Sequence, residues 1–331
     1  MSEKVRAIQY GLGPIGCAVA RHAAEREGLV LVGGVDVDPA IVGQDVGTVI
    51  GLGRPLGFAT DARLADVLAR TAADVVLHTT SSHLAQVTPQ ILEIVDAGLD
   101  VVSTAEELSF PWRTHTEAAQ EIDNAARQAG VTVLATGVNP GFLMDTLPLA
   151  LSGICQQVAH IEVRRTIDAS TRRGPFQAKI GAGMTVEAFR AEMEAGRMGH
   201  VGLPESIGMV FSTLGVTLVR YETEVEPIVG EETIRTEHVE VPPGRVIGLR
   251  QVARAYGEEG EFLKLVFVAA LEVAEEQDTI AITGTPDLEV TLRGTHGDLA
   301  TAAIVVNAVR RVREGGPGLV TMRDLPIVTY W

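Results

Sequence analysis

Through about residue 150, short unbroken apolar runs alternate with stretches whose apolar positions recur at helical spacing. Val5–Tyr10, the run that ends on Asp36, Ala73–Thr80, Asp100–Thr104 and Val131–Ala135 read as strands. The stretch opened by Gly16, Asp61–Arg70, Leu84–Ala97 and His115–Ala129 read as helices, the last two stopped by Gly98 and Gly130. Ile41–Leu56 is glycine-rich without a clear period and is expected to form a short helix and loop. Strands and helices alternating at this spacing predict a doubly wound parallel sheet of the α/β class.

From Ile161 the pattern changes to strands with few helices between them: His160–Ile167, Val216–Pro227, Glu232–Val241, Val246–Tyr256, Phe262–Ala270 and Leu288–Arg293. This predicts an α+β second domain built on an antiparallel sheet, with a helix-rich insertion over about Thr185–Gly215. Gly297-Asp298-Leu299 then opens a long apolar helix, Ala300–Val312, closed by Gly315-Gly316-Pro317. The expected organisation is a first domain over 1–150, a second over 151–296, and a terminal segment over 297–331 that packs back on the first. No repeat or low-complexity segment interrupts it.

The first strand breaks into Gly11-Leu12-Gly13-Pro14-Ile15-Gly16, a helix follows, and the next strand ends on Asp36. Gly11 lets the chain turn, Gly13 lets backbone approach a pyrophosphate, and Gly16 lets the helix lie close on the strand. With the free N–H groups of the helix start added, residues Gly11, Gly13, Pro14, Ile15 and Gly16 are expected to hold a dinucleotide on a Rossmann domain. A carboxylate at Asp36 accepts from the adenosine ribose hydroxyls and repels a 2′-phosphate, and no arginine follows at Val37, Asp38 or Pro39. The expected cofactor is therefore NAD rather than NADP. Asp38 reads as a cap.

Composition narrows the class. At 331 residues, 46% hydrophobic, 4% aromatic and with 35 glycines, the chain has the length for two domains and the make-up of a soluble α/β protein. A net charge of −16 argues against nucleic acid or an anionic membrane as partner. No run reaches the length of a membrane span, and Met1-Ser2-Glu3-Lys4 leads straight into the first strand, so a cytoplasmic protein is expected. Cys17 and Cys155 give neither a disulfide framework nor a metal cluster and read as buried small apolar residues. The eight histidines show no HxxxH or HExxH spacing, so no metal site is expected.

Ligands on doubly wound sheets sit beyond the carboxyl ends of the strands. Besides the glycine loop and Asp36, three such ends are Thr79–Ser82, Ser103–Glu107 and Asn139-Pro140. Glu106-Glu107 either binds an ammonium or iminium and shuttles its proton, or forms the acidic first turn of a helix. Asn139 either holds the nicotinamide carboxamide or the substrate, or makes a turn. Thr80 and Ser81 contact the cofactor or cap the following helix. Phe142, Met144, Phe176, Met184 and Met198 line a pocket for small apolar ketones or are plain core. His200 is kept as a pocket candidate, the other histidines reading as structural. Lys179, Arg164, Arg165, Arg172 and Arg173 either bind a substrate carboxylate or form a solvated basic face.

The set GLGPIG, DVDP, TTSS, STAEELSFPW, GVNPGF and the final HGD…VVNAV…PGLVTMRDLP, in this order, resembles the 2,4-diaminopentanoate dehydrogenase family and the related native amine dehydrogenases. That family has a dihydrodipicolinate-reductase-like N-terminal domain. The resemblance spans nearly the whole chain and is strongest over 5–145 and 295–326. It implies NAD(P)-dependent interconversion of an amine with a ketone or aldehyde plus ammonia, in a homodimer whose pocket lies between the two domains. It also implies that Glu106, the first glutamate of the pair, holds the nitrogen. A common family pattern has cysteine where this chain has Ala105, which removes a thiol and keeps the carboxylates. Members using NADPH leave NADP open beside NAD. Two other readings stand beside it. One is a dihydrodipicolinate-reductase-like imine or carbonyl reductase, although the HH-containing segment and the SGTA loop of that enzyme are missing. The other is a non-catalytic NAD-binding sensor.

Overall fold

A computed structural model describes residues 4–331, and the chain-start reading at Met1-Ser2-Glu3 lies outside them. By contacts the described residues form two compact units, one of residues 4–142, 204–209 and 296–331, the other of residues 143–203 and 210–295.

The first unit begins with β1 (Val5–Tyr10), α1 (Pro14–Glu25), β2 (Leu29–Val35), α2 (Val46–Val49), β3 (Thr60–Asp61), α3 (Leu64–Leu68) and β4 (Val75–His78). α4 (Leu84–Asp96), β5 (Asp100–Ser103), a single 3₁₀ turn at Glu106–Leu108, α5 (Thr116–Ala129) and β6 (Thr132–Ala135) follow. The six strands pair in parallel in the order β6-β5-β4-β1-β2-β3. Successive side chains of a strand point to opposite faces, and here both faces are covered. Ala7, Val75, Leu77, Val102 and Leu134 pack with α1 and with the helix Gly297–Glu314, while Ile8, Val76, Val101 and Val133 pack with α3, α4 and α5. Strand order reverses between β1 and β4, the switch point at which such sheets bind their ligands.

The second unit holds α6 (Thr146–Ser152), β7 (Gln157–Asp168), α7 (Gly174–Lys179), α8 (Val186–Glu194) and part of α9 (Leu203–Leu214). β8 (Arg220–Val229), β9 (Ile234–Arg235), β10 (Glu240–Val241), β11 (Val246–Gly257), β12 (Gly260–Ala270), β13 (Gln277–Thr285) and β14 (Leu288–Arg293) complete it. Six of these strands form one sheet in the order β14-β13-β7-β12-β11-β8. It is antiparallel at every pair except β7 with β12, so the sheet is mixed. Glu232–Val241, read as one strand, is instead the small β9–β10 hairpin. On this sheet Glu162 pairs with Lys264 at 3.0 Å and Glu226 with Arg250 at 3.3 Å, while Ile161, Val163 and Leu265 are buried.

The chain then returns to the first unit with α10 (Gly297–Glu314) and β15 (Gly318–Val320). β15 is the seventh strand of the parallel sheet, beside β6. The Asp123 carboxylate on α5 fixes it by accepting from Leu319 N–H at 2.9 Å. α10 lies against α1, where alanines on both helices (Ala20, Ala23, Ala302, Ala308) are buried in one cluster; small side chains permit that approach. No described helix is long and apolar enough to cross a membrane.

Candidate active site

At the end of β1, Gly11 adopts φ +92°, a backbone conformation open to glycine, and its N–H donates to Val35 O at 2.8 Å. A Cβ on Gly11 would meet Thr79 O at 2.6 Å, and one on Gly16 would meet Gly11 O at 1.9 Å. These two glycines exist so that α1, β1 and the loop after β4 can touch. Gly13 differs: a Cβ there meets nothing within 4 Å, so this backbone faces open space. α1 begins at Pro14 with no side-chain cap and no acid in its first turn, which leaves its positive end to an anion.

One strand over, Leu12 N–H donates to Asp36 Oδ2 at 2.6 Å and Asp38 N–H to Asp36 Oδ1 at 2.9 Å. The carboxylate is thus fixed against the glycine loop, and each oxygen retains a lone pair for a ribose hydroxyl. Asp38 caps its own turn through Ala40 N–H, as expected. Open backbone at Gly13, an uncapped helix start and an anchored acid together fit a dinucleotide. Gly13→Ala is accordingly expected to melt like the parent while NADH affinity, read by fluorescence titration, falls at least about tenfold. Unchanged affinity would place the pyrophosphate elsewhere.

The loop after β4 supports this cradle from below. Thr79 N–H donates to Tyr10 O at 2.8 Å, and the Thr79 hydroxyl to Gly11 O at 2.9 Å. The side chains of Thr80 and Ser81 turn toward α4. Thr80 donates to Gln90 Oε1 at 2.6 Å; Ser81 donates to Gln86 Oε1 at 2.6 Å and accepts from His83 N–H at 3.3 Å.

The two glutamates after β5 have different surroundings. Glu107 accepts from Leu84 N–H at 2.7 Å and pairs with His83 Nδ1 at 2.9 Å and His115 Nε2 at 3.4 Å, while its own N–H donates to Ser82 O at 3.1 Å. It caps α4 from outside the helix and ties the β4 loop to the β5 loop. Glu106 opens the 3₁₀ turn, is half-buried, and its carbonyl accepts from Ser109.

A third carboxyl joins them that the sequence reading had not singled out. Glu205, in the first turn of α9 and within the first unit, is 3% exposed and accepts from the Thr114 hydroxyl at 2.9 Å. Burial, with the negative charges of Glu107 and Glu106 added to it, pushes its pKa up to about 7. Glu205 follows a proline at a helix start, where an acid is unremarkable, and nothing local in the sequence marks it as buried.

Asn139 is buried in the loop after β6, whose Val138 N–H donates to Thr301 Oγ1 on α10 at 3.2 Å. Phe142, half-buried, ends this part of the first unit. The first unit therefore assembles the glycine loop, Asp36, Thr80, Ser81, Glu106 and Asn139 on strand ends of one sheet. Phe176 belongs to the second unit, on α7, with the Arg172 guanidinium 5.5 Å over its ring. In that unit His200 stacks on Phe267 at 4.7 Å. Arg165 is not on a solvated face: it is 2% exposed and pairs with Asp278 at 3.4 Å. Cys17 and Cys155 are half-buried free thiols, and burial pushes the Cys17 thiol up. No group of three metal-ligating side chains occurs among the described residues.

Residues 142–331 match the 2,4-diaminopentanoate dehydrogenase C-terminal domain. Over 98% of its length the chain is 34% identical to a 2,4-diaminopentanoate dehydrogenase of Acetoanaerobium sticklandii, covering 94% of that protein. It is 25% identical, over 98% of its length and 96% of the relative, to an amine dehydrogenase of Streptomyces virginiae. The structure of an amine dehydrogenase from Mycobacterium smegmatis superposes with a TM-score of 0.89 at 25% identity, covering all of this chain and 98% of the other.

Proposed function

The chain belongs to the 2,4-diaminopentanoate dehydrogenase family, as an NAD(P)-dependent oxidoreductase acting on amines, and we propose that Glu106 is its catalytic carboxylate, with NAD preferred over NADP. The reaction is the reversible oxidative deamination of an amine to a ketone or aldehyde. Ammonia is the second product, and in the reverse direction the co-substrate.

One observation carries the assignment. The Glu107 carboxylate caps α4 and holds His83 and His115, a structural task at the edge of the β4 and β5 loops. This supports giving the reacting nitrogen to Glu106, which opens the turn at the carboxyl end of β5. The nicotinamide cofactor, when bound, supplies the hydride chemistry. Residues Gly11 to Gly16 hold its phosphates, Asp36 its adenosine ribose, the Thr80–Ser81 loop borders it, and Asn139 holds its carboxamide. The Glu106 carboxylate orients ammonia or the amine by a charge-assisted hydrogen bond. It takes up and returns the nitrogen's proton as carbinolamine loses water, and it stabilises the positive charge of the iminium. Support for NAD is the anchored Asp36 and the absence of a cation at 37–39 to take a 2′-phosphate.

Phe142, at the end of the loop that carries Asn139, borders the carbon side of the substrate, and the segment 151–296 pairs two copies of the chain as a cytoplasmic homodimer. The exposed apolar residues Tyr221 and Val229 on the edge strand β8, with Val219 just before it, support that pairing. Light scattering reads it directly.

The test is absorbance at 340 nm with NADH or NADPH, excess ammonium and a panel of short ketones and aldehydes, run in reverse with NAD and 2,4-diaminopentanoate. Ammonium-dependent oxidation, faster with NADH, is expected. Oxidation without ammonium would make the protein a carbonyl reductase and remove the nitrogen role from Glu106. Binding of NADH without turnover on any partner would make it a sensor.

A further inference from the structure

β4 reads Val75-Val76-Leu77-His78, and all four side chains are buried. An imidazole in such a strand costs free energy unless both nitrogens are satisfied, and a leucine would fill the place without that cost. His78 is 0% exposed and both nitrogens have partners: Nδ1 lies 2.9 Å from Ser103 Oγ, and Nε2 lies 2.8 Å from Gln90 Oε1 and 3.0 Å from Thr80 Oγ1.

The contacts form one line with one polarity. Gln90 Oε1 only accepts, and it takes the Thr80 hydroxyl proton at 2.6 Å, so with the Gln90 amide set by its neighbours His78 carries its proton on Nε2. Nδ1 is then an acceptor and Ser103 donates to it. Ser103 Oγ in turn accepts from Ala105 N–H at 3.1 Å. Ala105 immediately precedes Glu106, and Thr80 lies against the glycine loop, its Cγ2 3.0 Å from where a Cβ on Gly11 would stand. The Tyr10 ring and the imidazole meet edge to face, with centroids 5.6 Å apart. Burial lowers the imidazole pKa to about 4, so this polarity persists across the neutral range.

We infer that His78 is a positioning residue that couples the cofactor loop at Thr80 to the turn that carries Glu106, through Gln90, Ser103 and Ala105. The inference rests on Glu106 being the catalytic carboxylate. Seating the dinucleotide against Thr80 sets the imidazole, the imidazole sets Ser103, and Ser103 sets the backbone from which Glu106 projects. Such a line makes cofactor affinity sensitive to Ser103, a buried hydroxyl that bonds the His78 imidazole directly.

A double-substitution cycle on NADH affinity tests it, with Thr80→Val and Ser103→Ala singly and together, read by fluorescence and accompanied by melting temperatures. Ser103→Ala alone is expected to weaken NADH about 3- to 10-fold, and to change affinity less than about 2-fold once Thr80 is valine. In His78→Asn, which keeps a partner for Ser103 and is too short for Gln90, Ser103→Ala should likewise change affinity less than about 2-fold; His78→Gln should restore part of its effect. Independent effects with His78 intact, or no effect of Ser103→Ala, overturns the inference whatever the melting temperatures show. Because the cycle uses NADH alone, coupling without amine turnover would sink the Glu106 reading and leave the relay standing. Amine turnover without coupling would do the reverse.

Discussion

Glu106→Gln is expected to lower amine turnover by about 10²–10⁴-fold while NADH affinity and melting temperature stay near those of the parent. The amide is isosteric and still offers an oxygen, but it neither accepts a proton nor carries the charge that an ammonium or iminium needs. The neighbouring substitution should give the opposite profile. In Glu107→Gln one oxygen still accepts from Leu84 N–H, while the amide NH₂ cannot serve His83 and His115 as the carboxylate does. Losing hydrogen bonds of this charge-assisted kind costs about 1–3 kcal/mol, so Glu107→Gln should melt earlier. It should also keep most of its turnover below the melting range. Steady-state kinetics and a thermal melt on the two proteins decide the matter. Near-normal turnover in Glu106→Gln, or a Glu107→Gln protein that is inactive and fully stable, would reverse the roles.

The second large effect is a pH dependence removed by Glu205→Gln. The Glu205 carboxyl goes from an ordinary 4.5 to about 7 on folding, so the folded protein holds this proton more tightly than the unfolded chain does. Its contribution is therefore intact below pH 4.5 and is lost as pH rises through 7. At 1.36 kcal/mol per pH unit the loss comes to about 3 kcal/mol. Glutamine keeps the bond from Thr114 and has no proton to lose. Glu205→Gln should match the parent near pH 5 and exceed it in stability above pH 8. His78 has the opposite sign: its folded pKa is depressed, so its contribution is intact above 6.5 and lost as pH falls through 4. An acid-side decline should thus persist in Glu205→Gln. In the parent, ionisation near pH 7 adds a negative charge beside Glu106 and Glu107, and apparent affinity for ammonium should tighten across that pH. The step should be flat in Glu205→Gln. Denaturant melts and ammonium saturation curves from pH 5 to 9 read both effects, and an unchanged step in the variant would remove Glu205 from the site.

Which parts of this site can be read from the residues follows from the range of the interactions. The glycine loop, Asp36 and the alternating strands are local signals: each glycine acts within a few positions, and each buried strand declares itself in four to seven residues. The capping task of Glu107 is not local, because its partners His83, Leu84 and His115 belong to other elements. Glu205 is further removed, as Thr114 lies 91 positions away. β13 escapes for a different reason. Its run QDTIAITGT mixes Thr and Ala among its isoleucines and follows the acidic Glu275-Glu276, so it reads as a loop until β7 and β14 pair on either side of it. The parallel pairing of β7 with β12 is likewise a property of the sheet rather than of either strand. Arg165 looks like surface charge within Arg164-Arg165, and period-2 alternation alone puts one of the two inside.

The seventh strand of the parallel sheet, β15, and the hydroxyl that holds the loop around Asn139, Thr301, are both encoded within the last 31 positions of the chain. A ribosome therefore releases most of the nucleotide-binding fold long before it can close, and the nascent unit waits with the edge of β6 unpaired through synthesis of the whole mixed sheet. The same arrangement governs recombination between relatives. A cofactor module cut at a single crossover near residue 142 would leave that edge open, so a working chimera has to exchange the beginning and the end of the gene together.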